Sequence, residues 1–135
     1  MPAVLWVFLG AGIGGVTRFL LADWLTRTVH EPLSGFPLGT VAVNVLGSLI
    51  IGIIAAFATD ERPWLRLFVM VGLLGGFTTF SSFSLDTLQL INHGRIGVAL
   101  VNVLVSVCTC LLACAVGMWI GGYFGPGGRT VPGSW

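Results

Sequence analysis

Uncharged polar side chains recur inside two of the most apolar segments of the chain. Asn44 lies near the middle of one segment, and Thr40 and Ser48 share its face at the helical spacing of four residues. In the other segment, small and polar residues form a second stripe: Asn102, Ser106, Thr109, Cys110, Ala113 and Gly117. Amides and hydroxyls donate hydrogen bonds without the tight hold of a charged group. Such a track suits a small anion, and the alternative for Asn44 is a hydrogen bond that joins two helices.

A run of small, hydroxyl and aromatic residues interrupts a third apolar segment, with the sequence GGFTTFSSF at residues 75–83. The glycines and threonines weaken helical propensity, and an unwound turn there would free backbone carbonyls that need a partner. A bound cation is one solution, and a kink satisfied by neighbouring hydroxyls is the other. Phe80 and Phe83 fall on one helical face. Their electropositive ring edges suit an anion, although such pairs also serve in packing.

The composition assigns these residues to a membrane protein. Of the 135 residues, 56% are hydrophobic and 8% are charged, and the mean hydropathy is +1.00. A membrane-spanning helix needs roughly 20 apolar residues. The sequence predicts four spans, at about residues 3–25, 38–58, 64–91 and 97–120, with the third broken near its middle. We expect an all-α membrane domain over residues 1–123 and a disordered tail over residues 124–135.

Several other classes of protein are disfavoured by the charged and reactive residues. The net charge is +1 and the arginines are scattered, so no surface suited to nucleic acid is predicted. Cys108, Cys110 and Cys114 lie in one apolar segment without the spacing of a zinc site, and we interpret them as packing residues. His30 and His93 fall in predicted loops with no nucleophile nearby, so no enzyme is predicted.

The arginines give the chain little preference for one orientation in the membrane. With four spans, Arg62, Arg66 and Arg129 fall on one side, and Arg27 and Arg95 on the other; Arg18 joins the second group if its side chain extends that way. Because loop arginines set orientation, three against three allows insertion both ways and pairing as an antiparallel dimer. A weak bias decided by one arginine is the equally weighted alternative.

Together these motifs resemble the small dual-topology fluoride channels, the Fluc or CrcB-like family. Residues 75–83 resemble the signature of that family's third helix. The second-helix pattern Gly39-Thr40-x-x-x-Asn44-x-x-Gly47-Ser48 and the first-helix pattern Gly14-Gly15-x-x-Arg18 also resemble it. The matches extend over the whole chain except the tail.

The resemblance implies an antiparallel homodimer in a bacterial inner membrane, with two pores that pass fluoride passively and exclude chloride. Asn44 would donate an amide hydrogen bond to fluoride, and Phe80 and Phe83 would turn ring edges toward it. Other hydroxyl and amide groups would continue the pore: Thr40, Ser81, Ser82, Ser106 and Asn102.

Two further roles are implied by the same resemblance. The main-chain carbonyls of Gly75 and Thr78 from both subunits would hold a structural sodium ion at the dimer interface. Arg18 would sit near an aqueous vestibule, where it would attract anions or anchor its helix.

The chain departs from the family pattern at three positions, and two other functions remain open. Asn102 stands where several relatives have tyrosine, Cys110 where a serine often continues the track, and Asp86 where glutamate is common. A small four-helix drug or cation exporter would need an acidic residue inside the first helix, and the first carboxylate there is Asp23. A structural membrane subunit, with polar groups that only join helices, would predict no ion flux.

Overall fold

The computed structural model describes residues 2–29, 35–57 and 63–125. Within them, α1 runs over Ala3–Thr28, α2 over Leu38–Ala55 and α6 over Ile96–Phe124, while the third span covers Pro63–Asn92. All four are long and apolar enough to cross a membrane. The prediction of an all-helical protein with four spans and a bend in the third is confirmed.

The third span is built from four consecutive pieces. It starts with α3 (Pro63–Leu65), continues as a π-helical segment (Arg66–Leu74) and one turn of α4 (Gly75–Phe77), and ends as α5 (Phe80–Asn92). Within the third span, the backbone is extended only at Thr78 (φ −80°, ψ 151°) and Thr79 (φ −147°, ψ 111°). The break therefore lies at the threonines, whereas both glycines that suggested it are helical.

At two seams, backbone packs directly on backbone, and each seam joins one pair of spans. A methyl group on Gly14 would collide with the carbonyl oxygen of Leu73, so α1 packs directly on the π-helical segment. At the second seam Gly52 of α2 faces Gly117 of α6, and a side chain on either would collide with the opposite backbone. Small residues at helical spacing permit this close approach within membranes.

The observed helix ends differ from the predicted ones by a few residues. Helix α2 stops at Ala55 because Ala56 and Phe57 form a turn. Helix α6 continues past residue 120 to Phe124, since Gly121 fits against the carbonyl oxygen of Ile53 and so keeps the helix packed on α2. Phe124 was expected to begin the tail and is helical, while residues 126–135 of that tail lie outside the described residues.

Candidate functional site

A cavity of about 300 Å³ lies where α2, α6 and the break in the third span meet. Its lining joins the two polar stripes of the sequence with the aromatic pair: Asn44, Ser48, Ile51, Thr78, Thr79, Phe80, Phe83, Ser106, Val107 and Cys110. The one ionisable group in this lining is the thiol of Cys110. The wall therefore carries amide, hydroxyl and ring-edge dipoles in place of fixed charge. Such a surface can interact with an anion without trapping it.

Asn44 holds the break open by pairing with the backbone of Thr79 through both ends of its amide. Its Nδ2 donates to the carbonyl oxygen of Thr79 at 3.1 Å, and its Oδ1 accepts from the backbone N–H of Thr79 at 2.7 Å. Asn44 therefore does join two helices, as one of the two interpretations required. A primary amide has two N–H groups, so one donor is still left over for the cavity.

The same rearrangement deprives carbonyl groups at the end of α4 and in the break of their helical partners, among them those of Gly75 and Thr78. In an uninterrupted helix the N–H of Thr79 would bond to Gly75, and that of Ser82 to Thr78. Here the first goes to Asn44, and the second goes to the hydroxyl of Thr79 at 3.1 Å. Hydroxyl groups replace only some of the lost hydrogen bonds, because Thr78 Oγ1 donates to the carbonyl of Leu74 and not to that of Gly75. The carbonyls of Gly75 and Thr78 are the pair named from the sequence as ligands for a cation.

Phe80 and Phe83 form a tilted pair beside the break, with ring centroids 5.4 Å apart and ring planes 44° apart. Both line the cavity. Phe80 is 78% exposed in the single chain, and Ser81 next to it is also exposed. An aromatic ring with so little packing around it within its own chain is free to present its edge to the cavity.

Two of the predicted hydroxyl donors already have partners, Thr40 in a neighbouring helix and Ser106 within its own helix. Thr40 donates to Asp86 Oδ2 at 2.7 Å, which ties α2 to α5. Ser106 donates to Asn102 Oδ1 at 3.3 Å, and Asn102 donates to the hydroxyl of Thr87 at 2.9 Å. Asn102 is completely buried, so it lies behind the cavity wall.

The hydroxyls of Ser81 and Ser82 gather around Thr79 at the start of α5. Thr79 Oγ1 lies 3.2 Å from Ser81 Oγ and donates to Ser82 Oγ at 3.1 Å. The hydroxyl of Thr79 also accepts from the N–H of Ser82, and so Thr79 caps α5 in the usual way for a threonine at a helix N-terminus. Neither serine lines the cavity itself.

Arg18 lies on α1, apart from the cavity lining. Its Nε is buried and has no hydrogen-bond partner within the described part of the chain. A buried guanidinium N–H without an acceptor is costly. The position therefore calls for a carbonyl, an anion or water from outside the single chain.

Comparison of the sequence with known proteins places the chain in a family. The sequence model described as CrcB-like protein, Camphor Resistance (CrcB), matches residues 5–118. The chain belongs to the CrcB-like family.

Curated members of the CrcB-like family resemble the chain along most of its length. A protein of Methylocella silvestris is 46% identical over 123 residues, which cover 87% of this chain and 88% of the relative. One from Coxiella burnetii is 41% identical over 87% of this chain and 96% of its own. One from Elusimicrobium minutum is 48% identical over 81% and 86%. Each of the three is named a fluoride-specific ion channel, FluC.

Within this CrcB-like chain the predicted pore residues fall into three groups by location. Asn44, Phe80, Phe83 and Ser106 line one cavity. Ser81 and Ser82 lie in the first turn of α5 beside it, and Thr40 and Asn102 bond to α5 about one turn beyond Phe83. Their roles toward an ion stay predictions.

Three residues at the site were not singled out from the sequence as site residues. Ser48 lines the cavity, and its hydroxyl makes no hydrogen bond within the described residues. Thr79 and Thr87 organise the break and the Asn102 network. The spacing of four residues between Asn44 and Ser48 was a usable signal, whereas the pairing of Thr87 with Asn102 depends on how α5 meets α6.

Metal ligation by side chains finds no support among the described residues, where no group of three His, Cys, Asp or Glu residues comes together. The three cysteines are free thiols. A cation at the break would therefore rely on the carbonyl groups of Gly75 and Thr78, which are the kind of oxygen ligand that hard cations accept.

Proposed function

We propose that this CrcB-like chain is a passive channel for fluoride, and not an enzyme. The observation that carries the proposal is the cavity in which Asn44, Ser48 and the Phe80 and Phe83 pair converge without a fixed charge. The names of relatives at 41–48% identity support the same ion.

The physical basis is replacement of water around a small, strongly hydrated anion. Each hydrogen bond to a charged group contributes about 1.5–3 kcal/mol, so a few donors offset part of the lost hydration. Uncharged donors do so without a binding energy that would stop the ion from leaving. Passive flow suits a cell in which hydrogen fluoride enters as a neutral acid, dissociates in the cytoplasm and leaves the anion behind. The protein would then lie in the inner membrane of a bacterium.

The test is fluoride release from liposomes that contain the purified protein, read with a fluoride electrode after a potassium ionophore removes the opposing voltage. We expect fast fluoride release and no chloride release. Phe80→Ile should abolish release, whereas the matched control Phe19→Ile, a ring exposed on α1, should leave it intact. Equal fluoride release by both variants would show that the aromatic pair serves only in packing. No release from native protein would favour a structural subunit.

The functional unit is proposed to be an antiparallel homodimer with two pores. Gly75 and Ser81 are exposed beside the break and Phe80 is 78% exposed, so one chain alone would turn unpaired backbone groups toward lipid. Such groups are tolerated at membrane depth only when protein or water covers them. A second copy would cover this surface, and the balanced arginines permit the inverted orientation.

Labelling from either side of the membrane tests the antiparallel arrangement. In a variant that lacks the three native cysteines, Asn92→Cys places a thiol at the exposed end of α5. An impermeant reagent should label about half of the copies from each side if insertion is random. Labelling from one side alone would contradict the dual topology.

A structural sodium ion is proposed between the carbonyls of Gly75 and Thr78 of the two copies. The loss of their helical partners supports this assignment. A ligand that binds only the folded state raises the melting temperature with its concentration. The purified dimer should melt higher in sodium chloride than in N-methylglucamine chloride, and equal melting would contradict the proposal.

A further inference from the structure

A chain of three hydrogen bonds with one fixed direction runs from the cavity wall into the interior between α5 and α6. It starts at an acceptor whose role is certain, because the hydroxyl of Thr87 donates to the carbonyl oxygen of Phe83 at 2.7 Å. A hydroxyl has one proton. Thr87 can therefore only accept from Asn102, whose Nδ2 lies 2.9 Å away.

This contact orients the amide of Asn102. Its NH₂ group must face Thr87, so its Oδ1 faces Ser106 and accepts the hydroxyl proton of Ser106 at 3.3 Å. The orientation of an amide is set by its hydrogen-bond network, and here the network ends at a carbonyl that cannot donate. Both Asn102 and Ser106 are buried within the chain, at 0% and 6% exposure.

The consequence for the cavity is a wall of mixed polarity. When the hydroxyl of Ser106 donates to Asn102, over an oxygen–oxygen distance of 3.3 Å, only its acceptor lone pairs are left for the cavity that it lines. On the α2 wall, one N–H of Asn44 remains after its bond to Thr79, and the hydroxyl of Ser48 makes no bond within the described residues. Amide and hydroxyl donors to an anion are thus available from α2, whereas α6 offers only the weak S–H donor of Cys110.

We propose that Asn102 is a positioning residue that withholds the Ser106 proton from the cavity, so that fluoride receives its hydrogen bonds from Asn44 and Ser48. The proposal rests on the fluoride channel proposed above. It makes Ser48 a direct ligand of the passing anion. It also makes Asn102 the residue that decides whether the α6 wall attracts or repels the ion.

Single substitutions rank the two serines in the liposome release assay. Ser48→Ala removes a free donor, and because a hydrogen bond to a charged group is worth a factor of about ten or more, release should fall about tenfold. Ser106→Ala removes an acceptor, and release should stay within about twofold of native. Thr17→Val is the matched hydroxyl control on α1, since that hydroxyl bonds to the carbonyl of Ile13 in its own helix, and it should leave release unchanged.

The role of Asn102 is tested by repeating Ser106→Ala in a second background. Asn102→Leu keeps the branched shape of the side chain and removes the acceptor, which frees the Ser106 proton. In that background Ser106→Ala should lower release about fivefold or more, whereas a purely structural role of Asn102 would leave the effect of Ser106→Ala the same in both backgrounds. Dimer elution on size-exclusion chromatography verifies assembly of each variant.

The outcomes separate this inference from the proposed function. Suppose that the native protein releases fluoride and that Ser106→Ala lowers release about tenfold, which is more than Ser48→Ala does. This result would overturn the inference and leave the channel in place. That ranking needs no Asn102 variant, so it decides the matter even if Asn102→Leu does not assemble. Absence of release from native protein would overturn the proposed function and the inference together.

Discussion

Replacing Asn44 with alanine should destabilise the folded protein as well as stop fluoride flow. The substitution removes two hydrogen bonds to the backbone of Thr79. Hydrogen bonds between helices in membranes average about 0.6 kcal/mol and reach about 1.7 kcal/mol. Two such bonds give a loss of about 1–3 kcal/mol in the free energy of unfolding.

The measurement is the free energy of unfolding in mixed micelles, titrated with a denaturing detergent. Ser48→Ala is the matched control, since Ser48 lines the same cavity and holds no other helix. It should change the free energy of unfolding by less than about 0.5 kcal/mol. Equal stability of the Asn44→Ala and Ser48→Ala variants would refute the structural role of the amide.

Three further substitutions test other parts of the structure. Gly14→Val should prevent α1 from packing and abolish the dimer peak on size-exclusion chromatography, whereas Gly12→Ala, which meets open space, should elute as native. Arg18→Gln should lower fluoride release about two- to tenfold at low ionic strength and less at high salt if the guanidinium attracts anions; a loss independent of salt would assign it to anchoring. Asp23→Asn breaks an exposed ion pair and should change stability by less than about 1 kcal/mol.

The helical class, the number of spans and the position of the cavity could be predicted from the sequence because each depends on local composition. Asn44 and Ser48 share a helical face by spacing alone, and the pairing of Phe80 with Phe83 follows in the same way. The approximate place of the break was also recognisable from residues 75–83.

The exact site of the break could not be read from propensity. Gly75 and Gly76 are the weaker helix formers, yet they remain helical and the chain opens at Thr78 and Thr79. The difference arises because Asn44, 35 positions away in the sequence, binds the backbone of Thr79. Hydroxyl directions were equally hidden, since the partner of Ser106 is set by how α6 meets α5.

The two seams described above give the chain an uneven mechanical character. Backbone on backbone at Gly14 and at Gly52 with Gly117 makes two stiff pairs, α1 with the first half of the third span and α2 with α6. Helix α5 is instead attached by side chains, through Thr40 to Asp86 and Asn102 to Thr87. The most flexible part of the chain is therefore α5 with the extended threonines that precede it. When the cavity changes shape, we expect the aromatic pair to move before the distance between the two stiff pairs of helices changes.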